Sequence, residues 1–163
     1  MSSKVDYPIT QAVRFLRANS VPFIPRLYPY EDHGGTGRAS EMLEVPEHRV
    51  IKTLVMQSDE KHPFIVLMHG DREVSTRGLA RRIGVKQVHP CDTKNAERLT
   101  GCQVGGISPF GTRTRLKVYV ESTILELDRI YINCGKRGFL AEMDPRALEK
   151  ALAPERVSVA IEP

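Results

Sequence analysis

The sequence contains no apolar stretch long enough to cross a membrane. Its longest uninterrupted apolar run, Phe64 to Met68, has five residues, whereas a membrane-spanning helix needs about 20. The N-terminal segment, which begins Met-Ser-Ser-Lys-Val-Asp, also lacks the apolar core of a secretory signal. We therefore expect a cytoplasmic protein with no membrane partner.

Patterns that would hold a metal or a cofactor are equally scarce. The 3 cysteines, Cys91, Cys102 and Cys134, form no CxxC pair, and the 5 histidines are scattered along the chain. The sequence also has no GxSxG nucleophile motif, no phosphate-binding loop of the GxxxxGK[ST] type and no dinucleotide-binding GxGxxG. We predict reduced thiols, no metal site and no cofactor.

The overall composition is that of an ordinary globular protein. The 163 residues are 40% hydrophobic and 27% charged, and the sequence shows neither an internal repeat nor a linker, so we expect one domain over residues 1–163. Lys and Arg exceed Asp and Glu by a net charge of +4, with a pI near 9.1. This excess permits a nucleic-acid partner without requiring one.

Helical and strand patterns follow one another along the chain. Capping residues predict helices after Thr10, Ser75 and Asp92 and one that begins at Pro145, and a shorter helix is expected at Ala39–Leu43. A polar loop is predicted at 31–37, with a turn at its Asp-His-Gly-Gly sequence. Strands are predicted at 22–28, 50–56, 64–68, 85–89, 116–120, 130–133, 139–143 and 157–161, with 50–56 and 64–68 paired at the centre of the sheet. The fold class is therefore α+β, or mixed α/β, with a mixed sheet.

One segment is too rich in glycine to form a regular element. Residues 101–111 hold 4 glycines and one proline, so their backbone amides could converge on an oxyanion or a phosphate. A tight connection without a ligand would have the same composition. Loops of this kind often carry function.

Lys52 stands inside the apolar run Val50–Met56. The strand period places it on the same face as Leu54 and Met56. A half-buried ammonium group needs an anionic partner or ligand. The alternative is a lysine at a sheet edge whose alkyl stem covers apolar surface while its charge reaches water.

Basic residues gather after the glycine-rich loop. Arg113, Arg115 and Lys117 alternate, so they would project from one side of an extended segment and could follow a phosphate backbone. Further basic residues are predicted on a helix, at Arg77 and Arg81, and in a hairpin, at Lys136 and Arg137. The alternative is a solvated charged face that is balanced by Glu121, Glu126 and Asp128.

Three ordered motifs resemble one known family. They are Lys52-Thr53-Leu54, the run from Thr100 through Gly105-Gly106-Ile107-Ser108-Pro109 to Gly111, and Ile130-Tyr131-Ile132 followed by Gly135-Lys136-Arg137-Gly138. Together they resemble the YbaK/EbsC family of deacylases, which are related to the editing domain inserted in bacterial prolyl-tRNA synthetase. The resemblance covers nearly the whole chain.

The resemblance implies a three-layer domain with a mixed, partly barrel-like sheet that hydrolyses mischarged aminoacyl-tRNA without a metal or cofactor. Its catalytic pocket would be formed by Lys52 and the loop Gly105, Gly106, Ile107, Ser108 and Pro109, whose amides would face the scissile ester. The thiol of a cysteinyl substrate or a water molecule would be the nucleophile.

The resemblance also implies positions that contact the substrate. Tyr28 and Tyr30 compete for the place of one pocket tyrosine. Cys102, Asn133, Gly135 and Leu140 complete the implied substrate pocket, and Cys102, Asn133 and Leu140 depart from the residues that the family often has there. The implied tRNA contacts are Arg113, Arg115, Lys117, Lys136 and Arg137.

Two functional hypotheses follow. The first is a deacylase that acts in trans on tRNA(Pro) carrying cysteine or another small amino acid, with prolyl-tRNA synthetase as a further partner. The alternative is a module of the same fold that binds tRNA, a nucleotide or a synthetase without turnover.

Overall fold

A computed structural model describes residues 6–163 of the chain. The helices are α1 (Gln11–Ala18), α2 (Gly35–Leu43), α3 (Thr76–Ile83), α4 (Thr93–Thr100) and α5 (Pro145–Leu152). The strands are β1 (Ile24–Leu27), β2 (Val50–Ser58), β3 (Pro63–His69), β4 (Glu73–Val74), β5 (Val88–Pro90), β6 (Lys117–Glu121), β7 (Ile130–Lys136), β8 (Phe139–Met143), β9 (Glu155–Val157) and β10 (Ala160–Ile161). Two short 3₁₀ helices lie at Glu47–Arg49 and Ser122–Glu126.

The predicted helix starts are confirmed by their capping bonds. The side chains of Thr10, Ser75 and Asp92 each accept a hydrogen bond from a backbone amide in the first turn of α1, α3 and α4. Gly84 ends α3 with a φ of 79°, a left-handed conformation that suits glycine.

The main sheet is mixed, as the sequence predicts. Its strand order is β1-β8-β7-β2-β3-β6-β9, with β5 paired to β2 outside this path. The pairs β2–β7, β3–β6 and β6–β9 are parallel, and the other pairs are antiparallel. Within residues 6–163, β1 and β9 do not pair with each other, so these strands close no barrel, and the partly barrel-like curvature stays a prediction.

Helices cover both faces of this sheet and produce three layers. On one face, α1, α4 and α5 pack with alternate strand residues such as Ile65 and Leu67. On the other face, α3 packs against Met56 and Val66, and α2 packs against Val50. The period-two alternation of β2 therefore places Lys52 on the same face as α2 and α3.

The structure corrects four predicted element boundaries. The predicted polar loop 31–37 is wrong in its second half, because α2 begins at Gly35, where the Thr36 side chain bonds to Glu47 and to the Gly70 carbonyl. The strand predicted at 85–89 is shorter and later, at Val88–Pro90. β7 continues through a bulge to Lys136, and the last predicted strand divides into β9 and β10, which pair with different partners.

A buried histidine at the end of β3 makes stability sensitive to acid. The ring of His69 is 1% exposed, lies parallel to that of His48 at 3.7 Å, and bonds to the His48 carbonyl and the Thr123 hydroxyl, both at 2.7 Å. Burial lowers the pKa of His69, opposed by the His48 carbonyl and by Asp71 and reinforced by the charges of His48 and Arg72.

This lowered pKa predicts a loss of stability on acidification. Below the ordinary pKa of about 6.5 the unfolded chain binds a proton that folded His69 resists, so the free energy of unfolding falls as the pH falls. Thermal melts between pH 7.5 and 5 should show a decreasing midpoint. In His69→Gln the midpoint should be lower at pH 7.5 and should depend less on pH. An equal pH dependence in both proteins would contradict this assignment.

Candidate functional site

A cavity of about 630 Å³ lies beside β2 and is the place where most of the predicted site residues meet. Its walls come from β2, from the segment before α2 and its first turns, from the glycine-rich loop and from the β7–β8 hairpin. A volume of this size accommodates a small organic ligand. Within residues 6–163 no group of three metal-ligating side chains is present, and no helix has the length and apolar character to cross a membrane.

Lys52 provides the cationic group of this cavity. Burial lowers its pKa, and the negative charges of Glu73, Glu47 and Asp71 oppose that shift. None of the ion pairs found among residues 6–163 includes Lys52. Its ammonium group is therefore half-buried and free to meet an anionic ligand.

Next to Lys52, Thr53 lies on the part of β2 between its pairings with β7 and β5. The Val55 carbonyl accepts a hydrogen bond from the backbone amide of Cys91, so the backbone groups of Val55 point away from β3. Because these directions alternate along a strand, the backbone groups of Thr53 point away from β3 as well. The Thr53 hydroxyl is buried and has no partner among the described residues. Thr53 also lines the cavity, and sequence reasoning did not select it, although it stands in the Lys-Thr-Leu motif.

Only part of the glycine-rich loop reaches the cavity. Gly105 and Ile107 line it, and within residues 6–163 their amides donate no hydrogen bond. The Gly106 amide instead donates to the Gln103 carbonyl at 2.8 Å. Ser108 and Pro109 are buried outside the cavity lining. The prediction that the amides of the whole loop face the ligand is therefore wrong for Gly106 and Ser108, and Pro109 has no amide hydrogen to donate.

The β7–β8 hairpin and Tyr30 hold this loop in place. The Asn133 amide group donates to the carbonyls of Gly105 and Lys136, at 3.4 and 3.2 Å. Arg137 donates to the Val104 carbonyl at 2.9 Å and lies over the Tyr30 ring at 5.0 Å. Asn133 and Arg137 both line the cavity, so they shape the site in two ways: they form part of its wall and they hold the loop.

Both candidate tyrosines line the cavity, so the choice between them does not arise. Tyr28 packs with the small apolar cluster of Ala39, Val50 and Leu140, and burial raises the pKa of its hydroxyl. Tyr30 packs against Gly105, where a Cβ atom would lie 2.5 Å from the Tyr30 hydroxyl. Leu140 is buried and lines the apolar part of the cavity.

Two residues predicted to contact the substrate lie outside the cavity lining. The Cys102 amide and thiol bond back to Thr100. Gly135 forms the bulge of β7 with a φ of 96°, and its amide donates to the Asn133 side chain at 2.7 Å. Cys102 is therefore not a wall of this cavity, and Gly135 acts on the cavity through Asn133.

The basic residues that the sequence places on one side of an extended segment after the glycine-rich loop do not share one strand. Arg113 lies in a bend, Arg115 follows it in irregular backbone before β6, and Lys117 at the start of β6 pairs with Glu155 at 3.1 Å. The chain bends there because the backbone amides of Arg113 and Thr114 donate hydrogen bonds to the carbonyls at the end of α4. Glu121, proposed as a solvated counter-charge, is buried and accepts a bond from the Val159 amide. Lys136 is exposed and has no ion pair within residues 6–163.

Sequence reasoning missed the wall that precedes and begins α2. Asp32, His33, Thr36 and Ala39 all line the cavity. The Asp-His-Gly-Gly sequence was interpreted as a turn only. The available sequence signal was Ala39 beyond this turn, a small residue that packs against Val50 of β2 beside the cavity.

Comparison with known proteins decides the family of this chain. The sequence model described as an aminoacyl-tRNA editing domain matches residues 35–151, more than two thirds of the chain. The chain belongs to the aminoacyl-tRNA editing domain family. The resemblance to the YbaK/EbsC deacylases is thereby confirmed. The matched residues include Lys52, the glycine-rich loop and the β7–β8 hairpin, which form the cavity of this editing domain.

Individual relatives agree with this assignment. The editing domain is 29% identical over 149 residues to EbsC of Enterococcus faecalis, a candidate Cys-tRNA(Pro)/Cys-tRNA(Cys) deacylase, and the match covers 91% of each chain. It is 23% identical over 105 residues to the proline–tRNA ligase of Lactobacillus helveticus, a match that covers 64% of this chain and 18% of the ligase.

Solved structures share the fold. The crystal structure of the hypothetical protein APE2540 superposes with a TM-score of 0.84 at 20% identity, covering 93% of this chain and 99% of the other. A candidate trans-editing enzyme for prolyl tRNA synthetase superposes with a TM-score of 0.83 at 16% identity, covering 93% and 95%. The mixed α/β fold of the editing domain is thus common to both.

Proposed function

We propose that this editing domain, residues 1–163, is a trans-acting deacylase that removes cysteine or another small amino acid from tRNA(Pro) in the cytoplasm. The observation that carries the proposal is that one cavity is lined both by Lys52, which forms no ion pair among the described residues, and by Gly105 and Ile107, whose amides donate no hydrogen bond among them. Prolyl-tRNA synthetase, the enzyme that charges this tRNA, is the proposed protein partner.

The two groups have complementary roles in ester hydrolysis. Attack on the ester carbonyl places negative charge on its oxygen, and amides fixed in a loop stabilise that charge without reorganising. Lys52 binds an anionic group of the substrate, either the phosphate of the terminal nucleotide or the developing oxyanion. Both interactions strengthen in a cavity from which bulk water is excluded.

The apolar part of the cavity supports selection of a small side chain. Tyr28, Ala39, Val50 and Leu140 pack together there. A small side chain fits beside these residues, whereas a larger one would require them to move, which close-packed cores resist. Discrimination by size alone is modest in an apolar pocket, about 10–200-fold for one methylene group.

The nucleophile is either the substrate thiol or water. In the thiol route the cysteinyl sulfur attacks its own carbonyl carbon, the carbon–oxygen bond to the ribose breaks, and the thiol proton passes to the ribose 3′ oxygen. The product is a four-membered thiolactone, which water then opens. In the water route the same bond breaks and free cysteine leaves directly.

A panel of aminoacyl-tRNAs tests the activity and the route together. We expect single-turnover deacylation of Cys-tRNA(Pro) well above the rate without protein, and little hydrolysis of Pro-tRNA(Pro). The matched probe is tRNA(Pro) carrying 2-aminobutyrate, which has a methyl group in place of the thiol. Stable 2-aminobutyryl-tRNA beside rapid loss of cysteine supports the thiol route, and equal rates support water.

The alternative function is an outcome of the same panel. If Cys-, Ala- and Ser-tRNA(Pro) are all deacylated at the background rate while tRNA still binds, the chain is a binding module and the deacylase proposal is wrong.

The exposed basic residues predict how tRNA binding depends on salt. Lys136 has no ion pair among the described residues, whereas Lys117 is paired with Glu155. Each phosphate contact releases counterions, so Lys136→Ala should lower the slope of log affinity against log salt by about 0.7 to 0.9. Lys117→Ala is the matched control and should change the slope little. Equal slopes for wild type and Lys136→Ala would remove Lys136 from the tRNA contacts.

A further inference from the structure

A second cavity, of about 370 Å³, lies directly beside the first. Tyr28 and Arg137 line both cavities. A ligand that fills the first cavity can therefore extend past these two side chains into the second.

Main-chain contacts build the wall between the two cavities. The Tyr28 amide donates to the Gly138 carbonyl at 3.0 Å. Gly138 has a φ of 76°, and a Cβ atom there would lie 2.6 Å from the Tyr28 carbonyl oxygen. The hairpin turn thus packs closely against the segment that carries Tyr28, and the second cavity is held next to the first.

The second cavity combines apolar surface with positive charge. Leu27 is 43% exposed there, beside Pro8 and Pro29, and Lys136 and Arg137 flank this surface. Arg137 uses its Nε on Val104, and its terminal nitrogens have no partner among residues 6–163. No acidic side chain of the described chain lines the cavity. Apolar surface next to cations fits a nucleobase and its phosphate.

We propose that this second cavity is a nucleotide subsite for the single-stranded 3′ end of tRNA. It holds the penultimate nucleotide, a cytidine in the C-C-A end, while the first cavity holds the terminal adenosine and its ester. Arg137, which lines both cavities, contacts the phosphate that joins the two nucleotides. The subsite rests on the proposed function, because the ester must occupy the first cavity.

Short substrates test the subsite because they differ by one nucleoside. The 3′-cysteinyl esters of AMP and of the dinucleotide CpA share the adenosine, its phosphate and the ester. We expect kcat/KM for the wild-type protein to be about five- to a hundredfold higher for the CpA ester, since stacking one base contributes that much to binding. In Leu27→Glu this gain should fall to about twofold or less, because a carboxylate repels the phosphate and removes apolar surface. Lys136→Ala should lose part of the gain.

Matched controls come from the same strand and the same residue types. Ile24 is 48% exposed on β1 outside the cavity, so Ile24→Glu should keep the full gain, as should Lys150→Ala on α5. Thermal melts confirm that each variant is folded. A gain that persists in Leu27→Glu, or that Ile24→Glu loses equally, overturns the subsite.

Binding without turnover separates this inference from the proposed function. Titration calorimetry of the wild-type protein with unacylated CpA and with AMP should show tighter binding of CpA, and Leu27→Glu should abolish that difference. If no ester is hydrolysed but this difference is found, the deacylase proposal fails and the subsite stands. If CpA binds no more tightly than AMP, the subsite is wrong even where the esters are hydrolysed.

Discussion

Replacing Lys52 by methionine should lower single-turnover deacylation by about ten- to a hundredfold while the protein stays folded. A hydrogen bond to a charged group contributes about 1.5–3 kcal/mol, and each 1.4 kcal/mol corresponds to a tenfold change in rate when the contact is made in the transition state. Methionine keeps an unbranched side chain of similar length, so the apolar contacts of the stem are largely retained.

The stability of the same variant should move in the opposite direction. Burial lowers the pKa of Lys52, which means that its charged form is less favourable in the folded chain than in the unfolded chain. At pH 7 this effect opposes folding; it begins to decline when the pH rises above the pKa of the folded chain and is gone only above the higher pKa of the unfolded chain. We therefore expect Lys52→Met to melt at the same temperature as the wild type or higher.

Lys52→Arg is the control that keeps the positive charge and changes the shape of the side chain. The larger, planar guanidinium group keeps the positive charge but places it differently, so we expect partial activity. Wild-type deacylation rates in Lys52→Met would show that this lysine only covers apolar surface with its alkyl stem, and they would remove the main support for the site.

Gly106→Ala should reduce both stability and deacylation, for a reason that differs from amide exposure. A Cβ atom at Gly106 would lie 2.6 Å from the Arg137 amide nitrogen and 2.8 Å from the Lys136 carbonyl carbon, both in the backbone. The loop must then move away from the β7–β8 hairpin. Such overpacking costs about 1–3 kcal/mol, which lowers the melting midpoint by about 2–12 °C in a chain of this size.

The displaced loop should slow deacylation by up to about a hundredfold, because the free amides of Gly105 and Ile107 move with it and small misplacements are costly in catalysis. Gly84→Ala is the control. Unlike Gly106, Gly84 has a positive φ, 79°, and no atom lies within 4 Å of a new Cβ there, so this variant should lose about 1 kcal/mol of stability and keep its deacylation rate. Wild-type rates in a folded Gly106→Ala would show that close packing of this loop on the hairpin is not needed.

The sequence alone determined the local structure wherever one residue type dominates the physics. Thr10, Ser75 and Asp92 cap helices because their short side chains reach the first free amides, and Gly84 ends α3 because glycine tolerates a left-handed backbone. Alternation along β2 placed Lys52 on the face of Leu54 and Met56. The three motifs were enough to identify the family.

Which amides and walls form the site was decided only by the tertiary structure. Glycine content cannot tell that Gly106 turns its amide to Gln103 while Gly105 and Ile107 leave theirs free, since that depends on the β7–β8 hairpin that packs against the loop. The alternation of Arg113, Arg115 and Lys117 assumed an extended segment. Hydrogen bonds to the end of α4 bend this segment instead, and Lys117 pairs with Glu155 of β9, a neighbouring strand that is far away in the sequence. Sequence patterns of this kind reflect the conformational preferences of residues that are neighbours in the sequence. The cavity depends on contacts between segments far apart in the chain, and those contacts exist only after folding.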